Sequence, residues 1–365
     1  MFMNGLLWFG DSVCYNTPIM TKGKKVYVGM SGGVDSSLSA ALLLEQGYDV
    51  TGVFIKVWQP DFVECTWKED RLDAMRVAAH LGIPFITLDL EQEYKQGVID
   101  YMIEEYRIGR TPNPDVMCNR EVKFGAFWKW AQAQGVDYIA TGHYAQTDGT
   151  RLIASQDVNK DQTYFLWTLT QKDLSHVLFP IGHMVKDDVR REAEKRNLTT
   201  SFKKDSQGLC FVGTIDIKTL LKEYIKEKPG DVCDIEGNVI GTHTGVMFYT
   251  IGERHGFTIT KKSTEDKAYY VVAKDIETNI LTVSHDKPET QNSHSIKLER
   301  VSWVQDTPDS GKVYTARARY RAPLAEIRVT KDGVVEVVHG ELVPASGQSF
   351  VVYDGTVCIG GGVIQ

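Results

Sequence analysis

Between Gly29 and Ser37 the chain reads Gly29-Met30-Ser31-Gly32-Gly33-Val34-Asp35-Ser36-Ser37, a run whose residue types suit one task, the holding of phosphate. Adjacent glycines let the backbone fold tightly so that several N–H groups converge, the serines add hydroxyl donors, and a helix starting there adds its positive end. The spacing is neither Gly-x-x-x-x-Gly-Lys-Ser/Thr nor Gly-x-Gly-x-x-Gly, which excludes the Walker and dinucleotide loops. A tight turn capped by Ser and Asp is the plainer alternative. Two further stretches carry potential nucleophiles. In Arg110-Thr111-Pro112-Asn113-Pro114-Asp115-Val116-Met117-Cys118-Asn119 two prolines stiffen a turn that presents Asp115 and Cys118 at a helix start, where a thiol ionises more readily. In Lys203-Lys204-Asp205-Ser206-Gln207-Gly208-Leu209-Cys210-Phe211-Val212-Gly213 another cysteine follows two lysines in a glycine-flanked loop, which also favours thiolate. A lone cysteine is more often a small buried hydrophobe, and Cys14, Cys65, Cys233 and Cys358 are read that way.

Elements able to position these residues follow from the hydrophobic pattern. Strands are predicted at 25–29, 50–57, 84–90 and 138–141, with helices at 36–46, 67–81 and 94–106, an alternation that signals an α/β domain with a parallel sheet. Past Phe211 the texture changes to short β runs with Gly and Pro turns, and a polar break at 285–293 precedes a small barrel or sandwich. The division expected is an N-terminal extension 1–23, a catalytic domain 24–212, a small central β-rich domain 213–286 and a C-terminal β-barrel domain 287–365. Residues 1–19 stay open between an appendage or upstream start ahead of Met20 and part of the protein proper.

Composition narrows the class. At 365 residues, 42 % hydrophobic and 24 % charged, the chain has material for several cores and no disorder-like bias. Its net charge of −7 rules out bulk attraction to nucleic acid or anionic membrane, so a polyanion must meet a local patch. Six scattered cysteines with no C-x-x-C pair fit a reducing compartment, the cytosol, and the apolar run near Leu6 is too short to span a membrane. No metal-ligand cluster is read. The stretch 186–204 holds seven basic and four acidic residues, for which a solvated helix face is the plain reading. In Ala316-Arg317-Ala318-Arg319-Tyr320-Arg321 a strand would put three guanidinium groups on one face, suited to phosphates, with Tyr314 and Tyr320 free to stack on sugar or base.

The loop at 29–37 resembles that of the ATP-pyrophosphatase enzymes, which cleave ATP between the α and β phosphates. Together with residues 110–119, Ala140–Ala145 (ATGHYA), Asn159–Leu166 (NKDQTYFL), Phe179–Gly182 (FPIG), Asp205–Gly213 (DSQGLCFVG), Ala345–Ser349 and Gly360–Ile364, the chain resembles the bacterial tRNA 2-thiouridylases from about residue 24 to its end. Another ligase of the same loop family, acting on a small molecule, is the alternative.

The resemblance implies an adenine-nucleotide-hydrolase-like α/β domain followed by the central domain and barrel. It also implies ATP, Mg²⁺, a tRNA substrate and a persulfide donor, either a cysteine desulfurase or a sulfur-relay protein, and no membrane partner. Carried residue by residue, it gives catalytic roles to Asp115, Cys118 and Cys210, with Cys210 bearing the persulfide and Cys118 forming a disulfide with it. It assigns ATP to Gly29, Met30, Ser31, Gly32, Gly33, Val34, Asp35, Ser36, Ile55 and Gly142. It assigns tRNA to Asn113, Pro114, Asp115, His143, Lys160, Asp161, Gln162, Arg319, Tyr320 and Gln348. The run Ile251-Gly252-Glu253-Arg254-His255-Gly256 departs from the family pattern by Glu253 and His255, a loss of positive charge that implies a weaker or pH-dependent hold on tRNA if this loop touches it.

Overall fold

The computed structural model describes residues 23–62, 67–205, 216–260, 267–288 and 295–365. Cys210 and the other residues of 206–215, and residues 1–22, therefore lie outside the described residues.

Four β-rich runs that alternate buried with half-exposed side chains form a parallel sheet: β1 (Lys25–Gly29), β2 (Asp49–Lys56), β3 (Phe85–Asp89) and β4 (Tyr138–Ala140). Two short strands, β5 (Ala145–Thr147) and β6 (Leu152–Ala154), leave this sheet, and β7 (Val177–Leu178) rejoins it. The order is β3-β2-β1-β4-β7, so the chain passes from β1 to β2 on one side while β4 lies on the other. In such sheets the crevice at the carboxyl ends of the diverging strands is where a ligand can enter. Helices α1 (Val34–Glu45) and α2 (Trp67–Leu81) cover one face, burying Val28, Leu38, Val50, Phe54 and Val77 between layers. The helices 91–107 and 114–133 cover the other, over Val53, Ile55, Met102, Phe127 and Ile139.

The predicted strands at 25–29, 50–57, 84–90 and 138–141 and the helices at 36–46, 67–81 and 94–106 all appear, with ends shifted by three residues at most. The central domain packs a five-stranded sheet in the order β10-β9-β8-β12-β11, from β8 (Gly230–Cys233), β9 (Val239–His243), β10 (Thr258–Ile259), β11 (Tyr270–Asp275) and β12 (Ile280–Ser284). The last domain is a barrel. Strands β13 (Ile296–Trp303), β14 (Tyr314–Arg317), β15 (Ala325–Val329), β16 (Val334–His339), β17 (Ser349–Asp354) and β18 (Val357–Ile364) run antiparallel in the order β13-β16-β15-β14-β17-β18, and pairing of β13 with β18 closes the cylinder over Phe350, Ile327, Val335 and Val352. Closure removes exposed sheet edges, which settles the choice between barrel and sandwich.

The domains share backbone. Strand β6, from the α/β domain, adds to the start of β18 through Leu152 opposite Cys358 and Ile153 opposite Val357. Thr111 donates its N–H to Ser346 O at 2.8 Å, accepts from Gln348 Nε2 at 2.9 Å, and its hydroxyl lies 3.0 Å from that of Thr250 in the central domain. Beside it Arg110 meets Glu105 at 3.1 Å and Glu299 at 2.6 Å, and Arg300 meets the other oxygen of Glu105 at 3.0 Å. Among the described residues no helix is long and apolar enough to cross a membrane.

Glu105 and Arg110 are mostly buried, and removing one partner of such a pair strands the other charge. Arg110→Met is therefore expected to lower stability by about 3 kcal/mol, read as the urea midpoint, with Glu105→Gln added to it recovering part of the loss. An unchanged midpoint would mean that the cluster contributes no net stability.

Candidate active site

Residues 29–36 turn from β1 into α1 at the carboxyl edge of the sheet. Met30 donates its N–H to Val53 O, anchoring the turn to β2. Ser36 Oγ accepts the Ser31 N–H at 3.2 Å and donates to Gly33 O, while Ser37 Oγ donates to Gly33 O at 2.8 Å, so the serines brace the turn from inside. Gly32 has φ +76°, and a Cβ there would stand 2.3 Å from Asp70 O, so no other residue fits without moving α2. Gly142, after β4, comes equally close to the helix start: its Cβ would meet Ser36 N at 2.7 Å. The two glycines explain why this turn sits tightly between its neighbours.

The turn forms one wall of a cavity of about 440 Å³, within the range of small-molecule sites. Gly29, Met30, Ser31, Gly33, Val34, Asp35 and Ser36 line it from below, and Phe54, Ile55, Val57 and Trp67 supply an apolar side. Asp115 and Asn119, one turn apart on the helix 114–133, line the same cavity with Lys123. Lys160, Gln162 and Phe165 come from the loop after β6, and Tyr320 and Arg321 from the barrel.

Local chemistry explains how that helix begins. Asn113 caps it, its side-chain oxygen accepting the Val116 N–H at 3.3 Å, and Pro114 occupies the first helical position, where a missing N–H costs nothing. Asp115 thus lies in the first turn. Cys118 lies a turn further in, where the helix passes into π turns over Cys118–Ala126, and it is fully buried in the main core, away from the cavity surface. The expectation that the proline turn presents Cys118 at the helix start is corrected: the helix begins at Pro114, four residues before the thiol, and Cys118 is buried in the core.

His143 follows Gly142 on the cavity wall, its Nδ1 2.7 Å from Thr141 Oγ1 and its ring beside Phe124 and Phe179. Burial first, and the charge of Lys123 second, hold it well below the usual histidine pKa. Asp35 accepts from Tyr144 OH at 2.8 Å and from Lys186 Nζ on both oxygens at 2.8 Å. Lys186 also meets Asp205, which takes Lys160 at 2.7 Å and Arg190 at 2.9 Å as well. Burial works to raise the Asp205 pKa, but Lys160 and Lys186 hold it down to about 2.

Of the residues singled out from sequence for tRNA, Asp115, His143, Lys160, Gln162 and Tyr320 reach the cavity, with Tyr320 packed on Phe165 at 4.5 Å. Others serve the fold. Asp161 is nearly buried, its carboxylate accepting from Ser155 N–H and Thr163 Oγ1. Arg319 donates to Ile251 O of the central domain, and Gln348 holds Thr111. The expected single face of three guanidinium groups is not formed: β14 ends at Arg317, which lies over Tyr353, Arg319 turns to the central domain, and Arg321, at φ +61°, reaches Asn159 O. The stretch 186–204 is likewise no simple solvated face, since Lys186 and Arg190 point to Asp205, and Lys203 pairs with Asp70 and Asp73. Glu253 neutralises Lys218 and accepts the Thr250 N–H, so its charge has a local use in the central domain.

Sequence reasoning missed Asn119, Lys123, Tyr144 and Lys186. The first two lay one and five residues beyond Cys118, on the helix already named, and the 3.6-residue period from Asp115 marks Asn119 and Lys123 on its face.

Three family models match the chain in succession: a tRNA methyl transferase HUP domain at residues 24–214, a tRNA methyl transferase PRC-barrel domain at 218–285 and an aminomethyltransferase beta-barrel domain at 293–364. Curated relatives named tRNA-specific 2-thiouridylase MnmA include that of Listeria monocytogenes, 46 % identical over 93 % of this chain and 94 % of its own. The protein of Halalkalibacterium halodurans is 46 % identical with the same coverage, and a second of that name in Geobacillus kaustophilus is 47 % identical, again over 93 % and 94 %. Solved structures similar to part of the chain include the U34-tRNA thiolase NcsA of Methanococcus maripaludis, at TM-score 0.35 and 19 % identity over 56 % of this chain and 65 % of that one. The NMN synthetase of Francisella tularensis gives TM-score 0.34 and 15 % identity over 58 % and 79 %.

Unfolding returns the His143 pKa to about 6.5, so the stability contributed by its buried neutral ring is present above that pH and is lost as pH falls below it. The fall in urea midpoint between pH 7.5 and 5 is expected to be shallower in His143→Gln than in the unsubstituted protein; parallel falls would mean that the ring titrates freely in the fold.

Proposed function

The chain belongs to the tRNA-specific 2-thiouridylase family, and from that premise we propose that it replaces the 2-oxygen of the wobble uridine in tRNAs for Lys, Glu and Gln with sulfur, consuming ATP. In this reading residues 24–212 form the catalytic domain, 213–286 the central domain and 287–365 the barrel, and the protein works in the cytosol.

The observation that carries the reading is the juxtaposition, across one cavity, of the 29–36 turn with Asp115. A ring carbonyl is a poor electrophile with a poor leaving group, so the 2-oxygen must first be joined to AMP. Uridine O2 attacks the α-phosphorus of ATP, the α–β bridging P–O bond breaks, and pyrophosphate departs. Backbone N–H groups of 29–36, the Ser31 and Ser36 hydroxyls and the α1 N-terminus would stabilise that charge, and Phe54, Ile55, Val57 and Trp67 would take the adenine. Among the described residues no cluster of three acidic, histidine or cysteine ligands stands at the turn, and the Asp35 oxygens take Lys186 and Tyr144, so Mg²⁺ would be held chiefly by the nucleotide's own phosphate oxygens and would neutralise their charge.

Sulfur transfer follows. The terminal sulfur of a Cys210 persulfide attacks C2 and displaces AMP, leaving the base joined through sulfur to Cys210. The Cys118 thiolate then attacks Cys210 Sγ, so a Cys118–Cys210 disulfide forms as 2-thiouridine leaves, and an external dithiol must reduce it before the next cycle. Asp115 acts as general acid or base for the ring. A persulfide-donating desulfurase or relay protein supplies the sulfur. Lys123, Lys160, Lys204 and Arg321 around the cavity give tRNA a basic approach on an acidic protein.

Purified protein with ATP, Mg²⁺, a persulfide source and unmodified tRNA for Glu is expected to yield 2-thiouridine by nucleoside mass spectrometry. Cys118→Ser and Cys210→Ser should yield none, and Asp115→Asn should slow the reaction by about 10²- to 10⁴-fold. ATP cleaved to AMP with a small-molecule acceptor, and no thiolation, would move the assignment to the small-molecule ligases.

A further inference from the structure

The loop that would receive ATP contains a carboxylate. Asp35 stands between Val34 and Ser36 at the first turn of α1, on the cavity wall, where a negative charge repels phosphate unless it is balanced. The balance is Lys186. Its side chain is only 11 % exposed, its Nζ lies 2.8 Å from both Asp35 oxygens and 2.8 Å from Asp205, and it sits over the Tyr144 ring. Around these two carboxylates stand three cations, Lys160, Lys186 and Arg190, with a third carboxylate, Asp157, beside them accepting the backbone N–H groups of Lys160 and Lys186, so the charges of the cluster are matched. Lys204 lines the same cavity with no carboxylate partner among the described residues.

Lys186 is the member of this cluster that touches the phosphate-binding turn itself. Asp205 has Lys160 and Arg190 in reserve, so it stays paired if Lys186 turns away, whereas among the described residues Asp35 keeps only the Tyr144 hydroxyl. Resting on the reading of 29–36 as the ATP polyphosphate site, we propose that Lys186 is a polyphosphate-binding residue of that site, exchanging Asp205 for phosphate oxygens when nucleotide enters while it goes on balancing Asp35. Asp205 is its competitor: it draws the ammonium away from the phosphates and adds a negative charge beside them.

The test compares ligands that differ only in phosphate. Binding of ATP and of adenosine is measured by titration calorimetry at fixed salt and magnesium for the wild type, Lys186→Gln, Lys186→Arg and Asp205→Asn, with the folded state of each variant checked by circular dichroism. Lys186→Gln is expected to weaken ATP by about tenfold or more while leaving adenosine unchanged, and Lys186→Arg to restore most of the ATP affinity. Asp205→Asn is expected to tighten ATP severalfold. Equal loss of ATP and adenosine in Lys186→Gln, or no loss of either, overturns the assignment of Lys186, as does weaker ATP binding in Asp205→Asn. Failure of the wild type to bind ATP at all instead overturns the nucleotide reading on which the assignment rests.

Discussion

The geometry of the cavity depends on the junction at Thr111. One residue of the α/β domain exchanges backbone and side-chain hydrogen bonds with Ser346 and Gln348 of the barrel and meets Thr250 of the central domain. Four residues on, Asp115 faces the cavity from a helix whose start is fixed by Asn113 and Pro114. In the role proposed for Asp115, a carboxylate acting at one atom of a base would gain from such anchoring, because small misplacements cost large factors in rate. The part of the cavity lined by Asp115 therefore takes its position from all three domains. The β6 addition to β18 works in the same direction: it follows Gly142, His143 and Tyr144 by only a few residues and fixes that stretch to the barrel wall.

Much of this was legible in the sequence, and the reasons are physical. The parallel sheet was readable because buried strands and covering helices have different hydrophobic periods, and Trp67–Leu81 appears with the bounds the pattern gives. The turn at 29–36 was readable because glycine at adjacent positions has few uses. The helix start near Pro114 was readable from the two prolines, while the Asn113 cap was not read. What was not legible involves partners distant in sequence. Nothing local in Ala316–Arg321 tells that Arg319 reaches Ile251 or that Arg321 turns at a positive φ, and alternation alone suggested one basic face. The β5–β6 hairpin was missed because three-residue strands carry almost no periodicity and take their partner from another domain.

Charge illustrates the same division between what composition states and what folding does with it. A chain with a net charge of −7 has no general affinity for polyanions, yet the fold collects Lys123, Lys160, Lys186, Lys204 and Arg321 around one cavity. The basic residues of 186–204 that look like a solvated surface are largely consumed in ion pairs, with Asp205, Asp70, Asp73, Glu45 and Glu192. Exposed pairs of this kind contribute little to stability. The pairs at Lys186 differ, because the ammonium is shielded from water and the local dielectric makes its partners matter more.

The burial of Cys118 bears on the order of events in the proposed reaction. A fully covered thiol in an apolar core is a weak nucleophile and a poor target for solution oxidants. Asp115 and Asn119, on the same helix, are already at the cavity surface, so the residues that would handle the base and the residue that would resolve the disulfide are presented differently. The helix departs from regular α pairing beginning at Cys118, and π turns of this kind occur frequently at functional sites. A resolving thiol has work only after sulfur has reached the base; exposed earlier, it would compete for the persulfide and form the disulfide without product. In the reaction proposed above, the burial of Cys118 would suppress this side reaction until the base is bound.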